Sequence, residues 1–153
     1  MRLEFLAKPL FIPRNQKIVS WPVIELTIPR PIGSPFRKQV LIDTGATNTI
    51  FPLSLAAQLR IADVEKLPTI QLNAGTGGFK GYLTKVRMRI DHPGSPSSGW
   101  DWTGEIVLAN VQTSHYGVLG HIGFLEYFDF ELRSEEEVFF LEDNSRFPGV
   151  VRE

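Results

Sequence analysis

Residues 38–49 read Lys38-Gln39-Val40-Leu41-Ile42-Asp43-Thr44-Gly45-Ala46-Thr47-Asn48-Thr49. Val40-Leu41-Ile42 is a short apolar run with β-branched members, which suits a buried strand. Asp43 ends that run, and of the six aspartates it alone is followed by Thr-Gly. The strand delivers its carboxylate to a tight turn. Gly45 can adopt backbone angles closed to other residues, and Thr44 supplies a short hydroxyl able to tie down neighbouring backbone. Two readings stand on the tripeptide alone: an Asx-type turn that closes a hairpin, or a carboxylate presented for chemistry.

Outward from this stretch the pattern is β. Thirteen Gly and eleven Pro punctuate short segments rich in β-branched and aromatic residues. Val23–Ile28 and Gln39–Ile42 flank a Pro29–Pro35 turn region and read as a hairpin; 48–51 and 69–74 are further short strands. The clearest alternation places Tyr82, Thr84, Val86, Met88 and Ile90 on one face against Leu83, Lys85, Arg87 and Arg89 on the other. Residues 105–109 form another strand. Phe128, Phe130 and Leu132 alternate with Asp129 and Glu131 before the Ser134-Glu135-Glu136 turn, and 137–141 returns as the partner, with Glu135-Glu136-Glu137 solvated. A helix is predicted over 53–59, entered through Pro52 in its first turn. Residues 91–102 (DHPGSPSSGWDW) read as a loop joining two strands of one core, with Trp100 and Trp102 capping a sheet. No internal repeat is present.

At 153 residues the chain suits one domain, with 42% hydrophobic and 22% charged residues in the range of soluble globular proteins. Sixteen basic against seventeen acidic side chains leave a formal charge of −1. Such a balance supplies no positive field to hold nucleic acid or an anionic membrane, and neither partner is expected. Without cysteine there are no disulfides, thiolate nucleophiles or cysteine metal sites, in keeping with a cytoplasmic location. Glu4, Lys8 and Pro9 break any apolar core of an export signal. The longest stretch without Asp, Glu, Lys or Arg, 106–125, is interrupted by Asn110, Gln112, Thr113, Ser114 and His115, so no spanning helix is expected.

Two further segments bear on Asp43. Ala74-Gly75-Thr76-Gly77-Gly78-Phe79-Lys80-Gly81 joins two strands by a stretch too glycine-rich for a two-residue hairpin loop, as a mobile tip would be. Val118-Leu119-Gly120 sets two large apolar residues before a glycine, which in a strand often marks close backbone approach. Competing chemistries lack their motifs. His92, His115 and His121 do not have the spacing of a zinc site, there is no HExxH, and neither GxGxxG, GxxxxGK[ST] nor GxSxG occurs. No metal or cofactor is expected.

In this order the three segments resemble the retropepsin family, the single-domain retroviral-type aspartic proteases, and especially their bacterial relatives. Asp43-Thr44-Gly45-Ala46 is similar to the catalytic triplet and its small follower, and 75–81 to the flap tip. Val118-Leu119-Gly120 is similar to the hydrophobic-hydrophobic-Gly segment that packs behind the site. The resemblance covers about Val23–Leu141 of a single domain spanning 1–153, with 1–22 as an N-terminal extension and 91–102 as an inserted loop. It implies an all-β, closed, barrel-like fold with one short helix. It also implies a homodimer that hydrolyses peptide bonds with Asp43 of each subunit, Thr44, Gly45 and Ala46 supporting the loop, and Gly75, Thr76, Gly77, Gly78 and Phe79 covering a peptide or protein substrate. Thr44 of each chain would lock the two loops together. Family members often carry Ser or Asp where Thr47 stands, and a basic residue then Asp or Asn where this chain has His121 and Ile122. A catalytically silent dimer binding peptides in the same cleft is the alternative, and a plain β-barrel binding module a third reading.

Overall fold

A computed structural model describes residues 1–74, 77–110 and 117–153. The strands among them are β1 (Arg2–Leu6), β2 (Lys8–Ile12), β3 (Lys17–Trp21), β4 (Val23–Ile28), β5 (Phe36–Ile42), β6 (Ile50–Pro52), β7 (Thr69–Ala74), β8 (Gly77–His92), β9 (Ser95–Ala109), β10 (Gly117–Leu119), β11 (Phe128–Arg133), β12 (Val138–Asp143) and β13 (Val150–Arg152); the helix α1 is Leu55–Gln58. Strands β9, β6, β10, β5, β4 and β8 are bonded in that order, and β8 pairs again with β9, so six strands close into a barrel. Strand β7 extends it beyond β8 and β13 beyond β9; β1-β12-β11 and β2-β3 form two smaller sheets.

Alternation places the core where the sequence puts it. On β8, Val86, Met88 and Ile90 are buried while Lys85 and Arg87 stay in solvent. They pack with Leu26 and Ile28 of β4, Val40 and Ile42 of β5, and Ile106 and Leu108 of β9. Each such burial is worth about 1.5–3 kcal/mol, so this interior holds the strands that present the 43–49 segment.

Three sequence expectations change. The 91–102 segment is not an inserted loop: β8 and β9 run through it, with Asp91 opposite Gly99 and His92 opposite Ser95. Its Ser, Pro and Gly content is poor strand material, but β13 adds a second ladder, Val151 facing Trp100 and Arg152 facing Gly99. Arg152 also pairs with Asp91 at 2.7 Å and Asp101 at 2.6 Å, which ties the hairpin to the C-terminal strand. Trp100 and Trp102 are core residues of β9 rather than caps. Trp100 meets Phe128 at 5.1 Å and Trp102 meets it at 5.4 Å, while their indole N–H groups donate to Asp143 Oδ1 at 2.8 Å and to the Gly123 carbonyl at 3.0 Å. The helix is shorter than predicted. Pro52 closes β6, and the Leu53 amide continues the ladder to the Ala109 carbonyl at 2.9 Å, which leaves the chain free to coil only from Leu55.

Within the N-terminal 1–22 segment, residues 2–6 join the fold and 8–21 form the separate β2–β3 hairpin. Strand β1 pairs with β12 along its length, and Phe5 stacks on Phe139 at 5.3 Å. The Ser134–Glu136 turn and Glu137 are exposed, as expected. No helix among the described residues is long and apolar enough to cross a membrane.

Candidate active site

Strand β10 inserts between two segments close in sequence. It runs parallel to β5, with Gly117 beside Val40 and Leu119 beside Ile42, and antiparallel to β6 through Val118 and Ile50. The chain from β5 to β6 therefore crosses the end of β10. At the crossing the Asp43 amide donates to the Leu119 carbonyl at 3.0 Å, the His121 amide to Ala46 at 2.9 Å and the Ile122 amide to Thr47 at 2.8 Å. Gly120 lies so close that a Cβ would sit 2.3 Å from the Asn48 carbonyl oxygen and 2.7 Å from that of Ala46. No side chain fits there, which is the close approach that the sequence predicts for this glycine.

The turn itself is tied through its carboxylate. Gly45 N–H donates to Asp43 Oδ1 at 2.9 Å and Ala46 N–H to the Asp43 carbonyl at 3.1 Å. A Cβ at Gly45 would crowd that Oδ1 at 3.2 Å. The Asx-type turn is thus present, and it aims Asp43 rather than hiding it: the residue is half-buried and lines a cavity of about 500 Å³. Gly45, Ala46, Thr47, Asn48 and Ile50 form the floor and one side, while Ile70, Gln71, Leu72 and Asn73 of β7 with Phe79 of β8 form the other. Among the described residues on this lining, Asp43 is the one acid.

No known family profile and no curated protein matches the sequence. Solved structures do. The crystal structure of a retropepsin-like aspartic protease from Rickettsia conorii superposes with a TM-score of 0.55 at 16% identity, covering 90% of this chain and 97% of that one. This chain has the retropepsin-like fold. The EIAV protease in complex with an inhibitor matches with a TM-score of 0.39 at 17% identity, over 67% of this chain and 83% of that one.

Within the retropepsin-like fold the expected residues fall in three places. Asp43, Gly45, Ala46 and Phe79 meet at the cavity, and Thr44 is exposed at the top of the turn. Leu119 and Gly120 are buried behind the turn, and Val118 is half-buried between Leu41 and Ile50. Gly77 and Gly78 are ordinary strand positions of β8, opposite Ala74 and Asn73. Gly75 and Thr76 lie outside the described residues, as does His115.

Two side chains carry more than their sequence context shows. Thr49, fully buried, accepts the Gly120 N–H on its Oγ1 at 3.2 Å. The His121 ring, through Nε2, bonds the Thr44 carbonyl oxygen at 2.9 Å. Thus His121 ties down the backbone of the Asp43 turn at Thr44. A hydroxyl six residues beyond an aspartate and a histidine after a glycine carry no local signal, because the contacts exist only once β10 is inserted. The cavity residues of β7 are half legible: a strand leading into a glycine-rich tip is where a cleft wall would be sought. Among the described residues no three His, Cys, Asp or Glu side chains gather as a metal site.

Proposed function

We propose that this chain is an aspartic endopeptidase, active as a homodimer in which Asp43 of each copy faces the other across a shared cleft. The observation that carries the reading is a single carboxylate, fixed by its own turn on the lining of a cavity of about 500 Å³ that also presents Ile50, Ile70, Leu72 and Phe79. Peptide hydrolysis by carboxylates alone needs two. Two such groups a few ångströms apart do not both stay ionised, so the pair holds one proton. The ionised member takes a proton from water as the oxygen adds to the scissile carbonyl carbon. The protonated member gives its proton to the carbonyl oxygen, and proton return to the amide nitrogen releases the amine as the C–N bond breaks. A chain with one Asp-Thr-Gly obtains the second group from a second copy, most simply across a two-fold axis.

The surroundings support this chemistry. Thr44 is exposed while its carbonyl is held by His121, so the turn is rigid on its own side and open toward a partner. Among the described residues strand β7 is the last strand of its sheet, and such an edge can accept an extended peptide by main-chain hydrogen bonds. Ile50, Ile70, Leu72 and Phe79 give the cleft apolar surface for side chains.

The test is Asp43→Asn, nearly isosteric but unable to act as acid or base. Peptide-library digestion should cease, with the circular dichroism spectrum and sedimentation of the protein unaltered. Retained cleavage would refute the proposal, and a wild type that binds peptides without cutting them would turn it toward a binding module.

A further inference from the structure

The β2–β3 hairpin stands apart from the rest of the fold. Its two strands bond to each other and form a sheet of their own, and an isolated two-stranded ribbon is marginal in water. Phe11 and Ile18 face each other across the ladder and are 56% and 68% exposed; Leu6, just before the hairpin, is 80% exposed. Apolar side chains set side by side in solvent on a marginal element call for a cover.

Position says what covers it. The Pro22 carbonyl, one residue after β3, accepts the amide of Ile42 at 2.9 Å, so the hairpin springs from the backbone beside the residue preceding Asp43. The hairpin is thus rooted beside the strand that carries Asp43, on the chain that would have to meet a second copy at a shared site. The terminal strands are each engaged within the chain on one edge, β1 with β12 and β13 with β9.

Charge points the same way. Residues 5–21 carry Lys8, Arg14 and Lys17 and no acid. The hairpin's base touches the acidic turn: the Ala7 amide donates to the Glu137 carbonyl at 2.8 Å and Ser20 Oγ to the Ser134 carbonyl at 3.3 Å. There Glu135 and Glu137 flank Glu136, which pairs with Arg133 at 3.4 Å. A patch with a basic half next to an acidic half is self-complementary under a two-fold rotation, since each half meets the other's opposite. A uniformly basic patch would repel its own copy.

We infer that the β2–β3 hairpin is the arm by which two copies of this chain hold each other, its Phe11–Ile18 face seated on the second copy beside the Ser134–Glu137 turn. The inference rests on reading Asp43 as half of a shared site, and it locates the contact in an internal hairpin rather than in the chain ends.

Sedimentation over a concentration series tests it with the full chain. Wild type and Asp43→Asn should form the same dimer. Phe11→Ser with Ile18→Ser should weaken it by roughly tenfold or more, both side chains being exposed in the monomer and so dispensable for folding. Arg14→Glu with Lys17→Glu should weaken it at low salt, and adding Glu135→Lys with Glu137→Lys to the same chain should restore it. A dimer constant unmoved by both sets of substitutions, in proteins with unchanged circular dichroism, would overturn the inference. So would a monomeric wild type, including one that instead sediments with phosphatidylserine vesicles, which would make the hairpin a lipid contact. A hairpin-sensitive dimer that cleaves nothing would end the protease reading and leave the arm standing; cleavage by a hairpin-insensitive dimer would do the reverse.

Discussion

Replacing Gly120 by Ala adds one methyl group where the fold has no room for it. The new Cβ would meet three backbone atoms: the Asn48 carbonyl oxygen at 2.3 Å, its carbon at 2.6 Å and the Ala46 carbonyl oxygen at 2.7 Å. None of these is the end of a flexible side chain, so β10 or the 43–49 segment must move by close to 1 Å to reach ordinary contact. Overpacking of this kind costs about 1–3 kcal/mol. The displacement also strains the bonds across the junction, from His121 to Ala46 at 2.9 Å and from Ile122 to Thr47 at 2.8 Å. Weakening one of them adds about 1 kcal/mol. The expected loss is therefore about 2–4 kcal/mol, or roughly 4–16 °C in Tm for a chain of this size. Urea and thermal unfolding followed by far-ultraviolet circular dichroism, at matched protein concentration, measure it. Gly77→Ala is the control: nothing lies within 4 Å of the added Cβ, and its stability should stay within about 0.5 kcal/mol of wild type. A Gly120→Ala protein within about 1 kcal/mol of wild type would refute the close-crossing argument.

Thr49→Val removes the buried acceptor of the Gly120 N–H and should cost about 1–3 kcal/mol in urea unfolding; an unchanged midpoint would mean that this amide finds another partner. Burial pushes the Asp143 carboxyl up, but the Met1 ammonium at 2.6 Å and the Trp100 N–H outweigh it and hold the group below its ordinary 3.8. A folded state that binds its proton less readily than the unfolded chain is favoured at pH above that value and loses the benefit as pH falls through the lowered one. Asp143→Asn should therefore flatten part of the acid limb of the stability profile, and parallel wild-type and variant limbs would contradict the assignment. If the site is shared, wild type co-refolded with an equal amount of Asp43→Asn should keep about a quarter of the all-wild-type activity, because only that fraction of random pairs is intact; a self-sufficient monomer would keep about half.

Local features were readable because they follow from neighbouring residues. The alternation from Tyr82 to Ile90 marks a two-faced strand whatever lies beside it, and 23–28 and 69–74 emerge with the bounds that periodicity and flanking prolines imply. The same holds for Asp43: an apolar strand ending in Asp-Thr-Gly specifies a tight turn with a tethered carboxylate, and Gly45 N–H on Asp43 Oδ1 is that turn. What the chain could not announce locally is which strand edges meet. Residues 91–102 lack strand propensity and become strand because β13, some fifty residues away, supplies a ladder and Arg152 supplies charge for Asp91 and Asp101. The insertion of β10 between β5 and β6 pairs residues more than seventy positions apart, Leu119 with Ile42, and that pairing alone gives Thr49, Gly120 and His121 their roles at the turn. Strand propensity and turn chemistry are properties of a few adjacent residues, whereas a cavity wall or a buried hydroxyl's partner depends on the closure of the whole barrel. The carboxylate's identity was therefore in the sequence, and its surroundings were decided by tertiary structure.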